Sequence, residues 1–175
     1  MGRITPAPFA TVKMQINNKI KQFFYNDYSD FKNLQLSELV DATIDYVQEG
    51  YEKEHIDLVI DIAPKLYVNG DKGQLQMVVF NLIRNAMDEL VRKEGLRRII
   101  VRAYVQQPHI YLEVQDNGAG VPIEEANQIF DLFHTNKKDG MGVGLWLSRA
   151  VMESHRGHLI FSNVAEGGAR FVMQF

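Results

Sequence analysis

Arg98-Ile99-Ile100-Val101-Arg102-Ala103-Tyr104-Val105 and Ile110-Tyr111-Leu112-Glu113-Val114-Gln115 flank a break at Gln106-Gln107-Pro108 and run directly into Asp116-Asn117-Gly118-Ala119-Gly120. Both runs alternate apolar with polar residues, which predicts two strands of a hairpin that bury one face. Asp116 then stands at a strand end, where two glycines allow a sharp turn and leave its carboxylate facing a cleft. Asp-Asn-Gly alone is also an ordinary turn sequence, so its meaning depends on what lies around it.

Downstream, Leu145 to His155 reads as a helix, and Leu159 to Ser162 with Ala169 to Phe175 as a second hairpin turned by Glu166-Gly167-Gly168. Upstream, Asp71 is placed to cap a long helix, with Gln74 three residues on in a capping-box position. Leu75, Val79, Leu82, Ala86 and Leu90 form the core stripe of that helix. The short apolar run Leu58 to Ile62, closed by Ala63-Pro64, suits a buried strand. Ser37 is a plausible N-cap for a helix whose face is Leu36, Leu39, Val40, Ile44 and Val47 and which ends near Gly50. Residues Tyr25 to Asn33 break the pattern like a hinge. Before them, Phe9, Val12, Ile16, Ile20, Phe23 and Phe24 predict an amphipathic helix to about Tyr28, either covering the same core or the stub of a dimerising coiled-coil hairpin. The expected organisation is an unstructured or tag-like segment over 1–8, a helical linker over 9–33 and a folded domain over 34–175. Its fold class is α+β, a two-layer sandwich with helices on one face of a mixed, mostly antiparallel sheet.

The length of 175 residues and 46% hydrophobic content suit one main domain. A net charge of -3 gives no electrostatic footprint for nucleic acid. The absence of cysteine excludes disulfide frameworks, cysteine nucleophiles and cysteine zinc sites. No apolar run reaches about 18 residues and the N-terminus lacks a signal-peptide pattern, so a soluble, cytoplasmic chain without membrane contact is expected.

Three clusters carry chemistry. Asn81, Asn85 and Asp88 share one side of the long helix, rotated roughly 100° from its apolar stripe. A neutral amide oxygen can complete the shell of a hydrated Mg2+ without repelling phosphates, which makes Asn85 the candidate metal ligand, supported by Asn81. A carboxylate at Asp116 can accept from an adenine amino group where guanine offers a carbonyl, favouring ATP over GTP. Gly140-x-Gly142-x-Gly144-Leu145 opens a helix, and its bare N–H groups suit an anion. The run lies too late in the chain for a dinucleotide fingerprint, and no G-x-x-x-x-G-K-[ST] is present, which excludes a P-loop. Lys137 and Lys138 lie on the loop before it and can cover a triphosphate, with Lys137 favoured; a solvated basic loop is the plain alternative. Phe130 and Phe133 can anchor that loop or simply fill the core. None of the five histidines looks functional: His155 and His158 lack a third ligand partner. Trp146 reads as core.

In order and spacing, these motifs resemble the ATP-binding catalytic domain of sensor histidine kinases, a branch of the ATPase superfamily shared with gyrase, MutL and the large heat-shock chaperone. The resemblance covers about Leu36 to Phe175. It includes Asn81-Leu-Ile-Arg-Asn85-Ala86, Asp116-x-Gly118-x-Gly120, Phe130-Asp-Leu-Phe133, the second glycine box and Gly167-Gly168-Ala169-Arg170-Phe171. Phe133-His-Thr135-Asn-Lys137, followed at once by that box, is similar to the short-lid kinases of nitrogen regulation, oxygen sensing and dicarboxylate sensing.

The resemblance implies a Bergerat-type fold that binds Mg-ATP and donates the γ-phosphoryl group to a histidine. It further implies that Asp116 reads adenine and that Lys137 and the glycine-box amides contact phosphates. The implied nucleotide set is Asn85, Asp88, Asp116, Gly118, Gly120, Thr135, Lys137, Gly140, Gly142, Val143, Gly144 and Leu145, with Asn81, Asn85 and Lys137 catalytic. Hydrolytic branches resemble one another in carrying Glu where this chain has Asn81; an amide accepts no proton, which disfavours hydrolysis. The family's acceptor histidine precedes Glu or Asp, whereas here His55, His109, His134, His155 and His158 precede Ile56, Ile110, Thr135, Arg156 and Leu159. The implied partners are therefore a histidine-bearing dimerisation domain, in the same parent protein or in trans, and a response regulator. The parent is expected to be a homodimer, with a membrane anchor open. A nucleotide-gated interaction module or an anti-sigma-type serine kinase are the rival readings. Arg156 stands where many relatives have glycine, a departure expected to affect only a turn.

Overall fold

The computed structural model describes residues 31–137 and 140–175; the helix expected over Phe9 to Tyr28, the segment 1–8 and Lys138 lie outside the described residues. In chain order the elements are β1 (Lys32–Gln35), α1 (Leu36–Lys53), β2 (Ile56–Ile62), β3 (Tyr67–Gly70), α2 (Lys72–Leu90), β4 (Arg97–Gln106), β5 (His109–Asp116), α3 (Gly144–Ser154), β6 (His158–Asn163) and β7 (Ala169–Gln174). A five-stranded sheet runs in the order β2-β4-β5-β7-β6, and β1 pairs with β3 in a separate ribbon. Only the β2–β4 pairing in the large sheet is parallel. The fold is the expected α+β sandwich, with helices packed on a mixed, mostly antiparallel sheet.

Alternation decides which face they cover. In β4, Ile99, Val101 and Ala103 are buried while Arg98 and Arg102 are exposed, and Leu112 and Val114 on β5 continue the inner face. The stripe predicted on α2 is buried throughout, joined by Val78, Ile83 and Met87. On the outer face, Arg98 Nε meets Asp57 Oδ2 at 2.7 Å, and Arg102 faces Asp61 and Glu113.

Four expectations need correction. The apolar run at Leu58 to Ile62 forms a strand, but one at the sheet edge, with Val59 and Ile60 38% and 39% exposed, because among the described residues β2 has a neighbour on one side only. Helix α1 starts at Leu36, so Gln35 and not Ser37 is its N-cap, and no side chain caps it. The pairing of β1 with β3 sets that start: Leu36 N–H donates to Leu66 O at 2.9 Å, and Gln35 Nε2 donates to Ser37 Oγ. The helix also passes through Gly50 to Lys53, where the absence of a Cβ lets it approach Met87 on α2. At the start of α2, Asp71 Oδ1 accepts from Gln74 N–H at 2.8 Å, but the return half of a capping box is absent and Gln74 Oε1 is buried without a partner among the described residues. No helix among the described residues is long and apolar enough to cross a membrane.

Candidate functional site

A cleft of about 470 Å³ opens between α2, the end of β5, the start of α3 and the loop carrying Thr135 and Lys137. Of the candidate residues, Asn81, Asn85, Asp88, Asp116, Gly120, Thr135, Lys137, Gly140, Gly142, Val143, Gly144 and Leu145 all line it. Gly118 does not; it supports Asp116 from behind. Residues more than 60 positions apart thus converge on one space.

At the base of the cleft, Asp116 is 5% exposed. Its Oδ1 accepts from Gly118 N–H at 2.8 Å and from Ala169 N–H at 3.3 Å, which leaves Oδ2 without a hydrogen bond among the described residues. Burial raises the Asp116 pKa above the ordinary carboxylate value; the two amides pull the other way and nearby Glu89 adds to the rise. Gly168 makes this arrangement possible. With φ +104°, it passes so close that a Cβ would collide with the carbonyl of Asp116.

At the far end, α2 presents Asn81, Asn85 and Asp88. Asn81 Nδ2 donates to Gly144 O at 3.5 Å and to Ser148 Oγ at 3.3 Å, tying α2 to the first turn of α3. Lys137 Nζ donates to Asn85 Oδ1 and to Asp88 Oδ2, each at 2.8 Å, while Arg84 Nε lies 3.1 Å from Asp88 Oδ1. An ammonium thus sits between an amide oxygen and a carboxylate oxygen, the hard-oxygen environment that a hydrated divalent cation prefers. The loop that delivers Lys137 is anchored by glycine: Gly142, at φ +64°, accepts from Phe133 N–H at 2.8 Å, and a Cβ there would meet the backbone of Phe133 at 2.5 Å. Thr135 Oγ1 accepts from Lys137 N–H at 3.1 Å.

The two phenylalanines part company. Phe130 packs against the core, edge-on to Phe171, with Arg149 over its ring, while Phe133 is 52% exposed on the loop. His155 is structural: its Nδ1–H donates to Val151 O at 2.8 Å, so Nε2 is the nitrogen that accepts from Asp71 N–H at 3.0 Å, and Phe31 stacks on the ring. Trp146 is buried, as read.

Several lining residues carried no sequence signal: Glu89, which lies near Asp116, Arg92 just past α2, and Val121, Pro122 and Glu125 on the wall formed by the chain after Gly120. Asn163 holds that wall, its amide bonding both N–H and C=O of Val121 from 42 residues away. Ala169 and Phe171, within the Gly167-to-Phe171 motif, also line the cleft, although the motif was not read as placing them there.

The chain is similar to several known proteins. The Sensor protein FixL of Bradyrhizobium diazoefficiens is 29% identical over 158 residues, covering 90% of this chain and 31% of the relative. The chain thus spans under a third of the length of the curated sensor kinases it matches. The catalytic domain of the histidine kinase ThkA superposes with a TM-score of 0.75 at 24% identity, covering 83% of this chain and 94% of that domain. ThkA in complex with the response regulator TrrA superposes with a TM-score of 0.71 at 20% identity, covering 100% of this chain and 52% of that one. Residues 70–175, which include every element lining the cleft, match the model of the Histidine kinase-, DNA gyrase B-, and HSP90-like ATPases, and the chain belongs to that family.

Proposed function

We propose that this chain is the catalytic domain of a cytoplasmic two-component sensor histidine kinase: it binds Mg-ATP and donates the γ-phosphoryl group to a histidine on a dimerisation domain, from which a response regulator is loaded. The observation that carries the reading is Asp116. A buried carboxylate with one oxygen held by two amides and the other without a hydrogen bond among the described residues suits the exocyclic amine of adenine. The triphosphate then runs toward Asn85, Lys137 and the start of α3. There the N–H groups of Gly142, Val143, Gly144 and Leu145 stand at a helix N-terminus, with Gly140 and Thr135 on the covering loop.

The donor set at Asn85 and Asp88 already holds a cation, the Lys137 ammonium, and so fits Mg2+. Bound there, Mg2+ would neutralise charge on the β- and γ-phosphates. The chain's own contribution is positioning: Asn81 fixes α2 against α3, Asn85 supplies the ligand oxygen, and Lys137 turns its charge to the transferring group. Asn81 is engaged with Gly144 and Ser148 and is an amide, so no group there takes a proton from water. Hydrolysis is disfavoured and the phosphoryl group is kept for transfer.

Incubating the chain with γ-labelled ATP, Mg2+ and a dimerisation domain bearing the acceptor histidine tests the proposal. Acid-labile label on the partner and none on the chain is expected. Label on one of the chain's own five histidines, or acid-stable label on a serine, would overturn it.

A further inference from the structure

Resting on that reading, we infer that Asp88 and Lys137 form an exchangeable lock, in which the loop lysine acts as the site's own counter-cation until a nucleotide replaces it. Lys137 Nζ bonds Asn85 Oδ1 and Asp88 Oδ2 at once. While the lysine is there, Asn85 Oδ1 already faces a cation, and two of the three Nζ–H donors are spent on α2. Both partners must let go for the site to work.

The structure is arranged for that exchange. Asp88 divides its oxygens: Oδ1 faces Arg84 one helical turn back on the same helix, and only Oδ2 faces Lys137. When the lysine leaves, Arg84 still faces Oδ1, and Oδ2 is released for a hydrated cation to replace the ammonium. Asp88 and Lys137 side chains are 34% and 35% exposed, so the pair is weak enough to trade. A phosphate arriving without a divalent ion meets an Asp88 carboxylate balanced only by the solvent-exposed Arg84 once its lysine has turned away. The lock thus makes phosphate capture conditional on a cation accompanying the nucleotide. In this scheme Asp88 positions Lys137 in addition to belonging to the donor set that fits the cation.

The test is a double-mutant cycle on ADP affinity, read by calorimetry in EDTA and repeated with Mg2+, on the parent chain, Asp88→Asn, Lys137→Gln and the double variant. Removing Asp88 removes both the lock and a repulsion; in the Lys137→Gln background it removes the repulsion alone. The gain in metal-free ADP affinity from Asp88→Asn should therefore be about three- to fivefold larger when Lys137 is present. A gain of equal or smaller size would mean that Lys137 grips Asp88 and phosphate together, and the lock fails while the nucleotide site stands. If the parent chain binds no ADP even with Mg2+, the nucleotide reading falls and the lock with it.

Discussion

At one end of the cleft, Asp116 is 5% exposed and gripped by the amides of Gly118 and Ala169; at the other, Asp88 and Lys137 are about one-third exposed and hold each other. The Asp116 end, the proposed base end, is complete in itself, built on the end of β5 and the start of β7, both interior strands of the sheet. Burying an ionised carboxylate there costs stability, which burial's upward push on its pKa expresses. The phosphate end is assembled from a helix side and a loop, and its partners satisfy one another meanwhile. On the proposed function, selectivity for the nucleobase would thereby be preorganised, whereas the groups proposed to meet the transferring phosphate would have to change partners in each cycle.

If the base end is rigid, breaking its scaffold should be felt by the whole domain. Gly168 has φ +104° and its missing Cβ leaves room for the carbonyl of Asp116. Gly168→Ala forces the β7 entry away from β5 and should destabilise the protein by about 3 kcal/mol. For a domain of this size, that is a fall in melting temperature of about 6 °C or more, measurable by differential scanning calorimetry. A fall under about 1 °C would show the base end to be as yielding as the phosphate end, and the contrast would dissolve.

How much of this contrast could be read in advance follows from range. Alternation over Arg98 to Gln115 and the 3.6-residue stripe of α2 report burial of each residue's own face, so the central strands and the core helix were legible. An apolar run does not say how many neighbours its strand has, so β2 was expected inside and stands at an edge. The ribbon of β1 and β3 escaped notice because four-residue strands are too short for a period to register. At the site, the order and spacing of the boxes anticipated which residues line one cleft, Gly118 excepted. They did not reveal that Lys137 pairs with Asp88 across 49 positions, or that Asn163 braces Val121 across 42. Those pairings arise only when the chain has folded.

A smaller change separates the two costs at the base end. Asp116→Asn keeps an Oδ1 to accept from Gly118 and Ala169 but turns donors toward the adenine amine, and ATP affinity should fall about 100-fold by calorimetry. The same variant should be more stable without nucleotide. Because the folded-state pKa of Asp116 lies above its ordinary value of 3.8, ionising it weighs against the fold. That penalty is complete above the raised pKa, shrinks as pH falls through it and vanishes below the ordinary value. The Asn variant's advantage in melting temperature should therefore be largest near neutral pH and fade on acidification. Equal advantage at every pH would mean that the carboxylate is not carrying a burial cost.

The smallest effect tests whether strain outside the cleft is separate from the site. Helix α3 begins at the phosphate end with Gly144 and finishes at Ser154 with a Schellman-type turn: Arg156 N–H donates to Glu153 O at 3.0 Å and Gly157 N–H to Met152 O at 2.9 Å. The residue after the cap is Arg156 with φ +59°, a left-handed conformation in which a Cβ is unfavourable and glycine is at home. Arg156→Gly relieves that strain while adding freedom to the unfolded chain, so the gain is only about 0.5 kcal/mol, or about 1 to 2 °C. ADP affinity should not move, because the turn lies at the opposite end of α3 from the glycine box. Should affinity change together with stability, α3 would be transmitting strain along its length, and the phosphate end would have to be regarded as tuned from outside the cleft and not only by the Lys137 exchange.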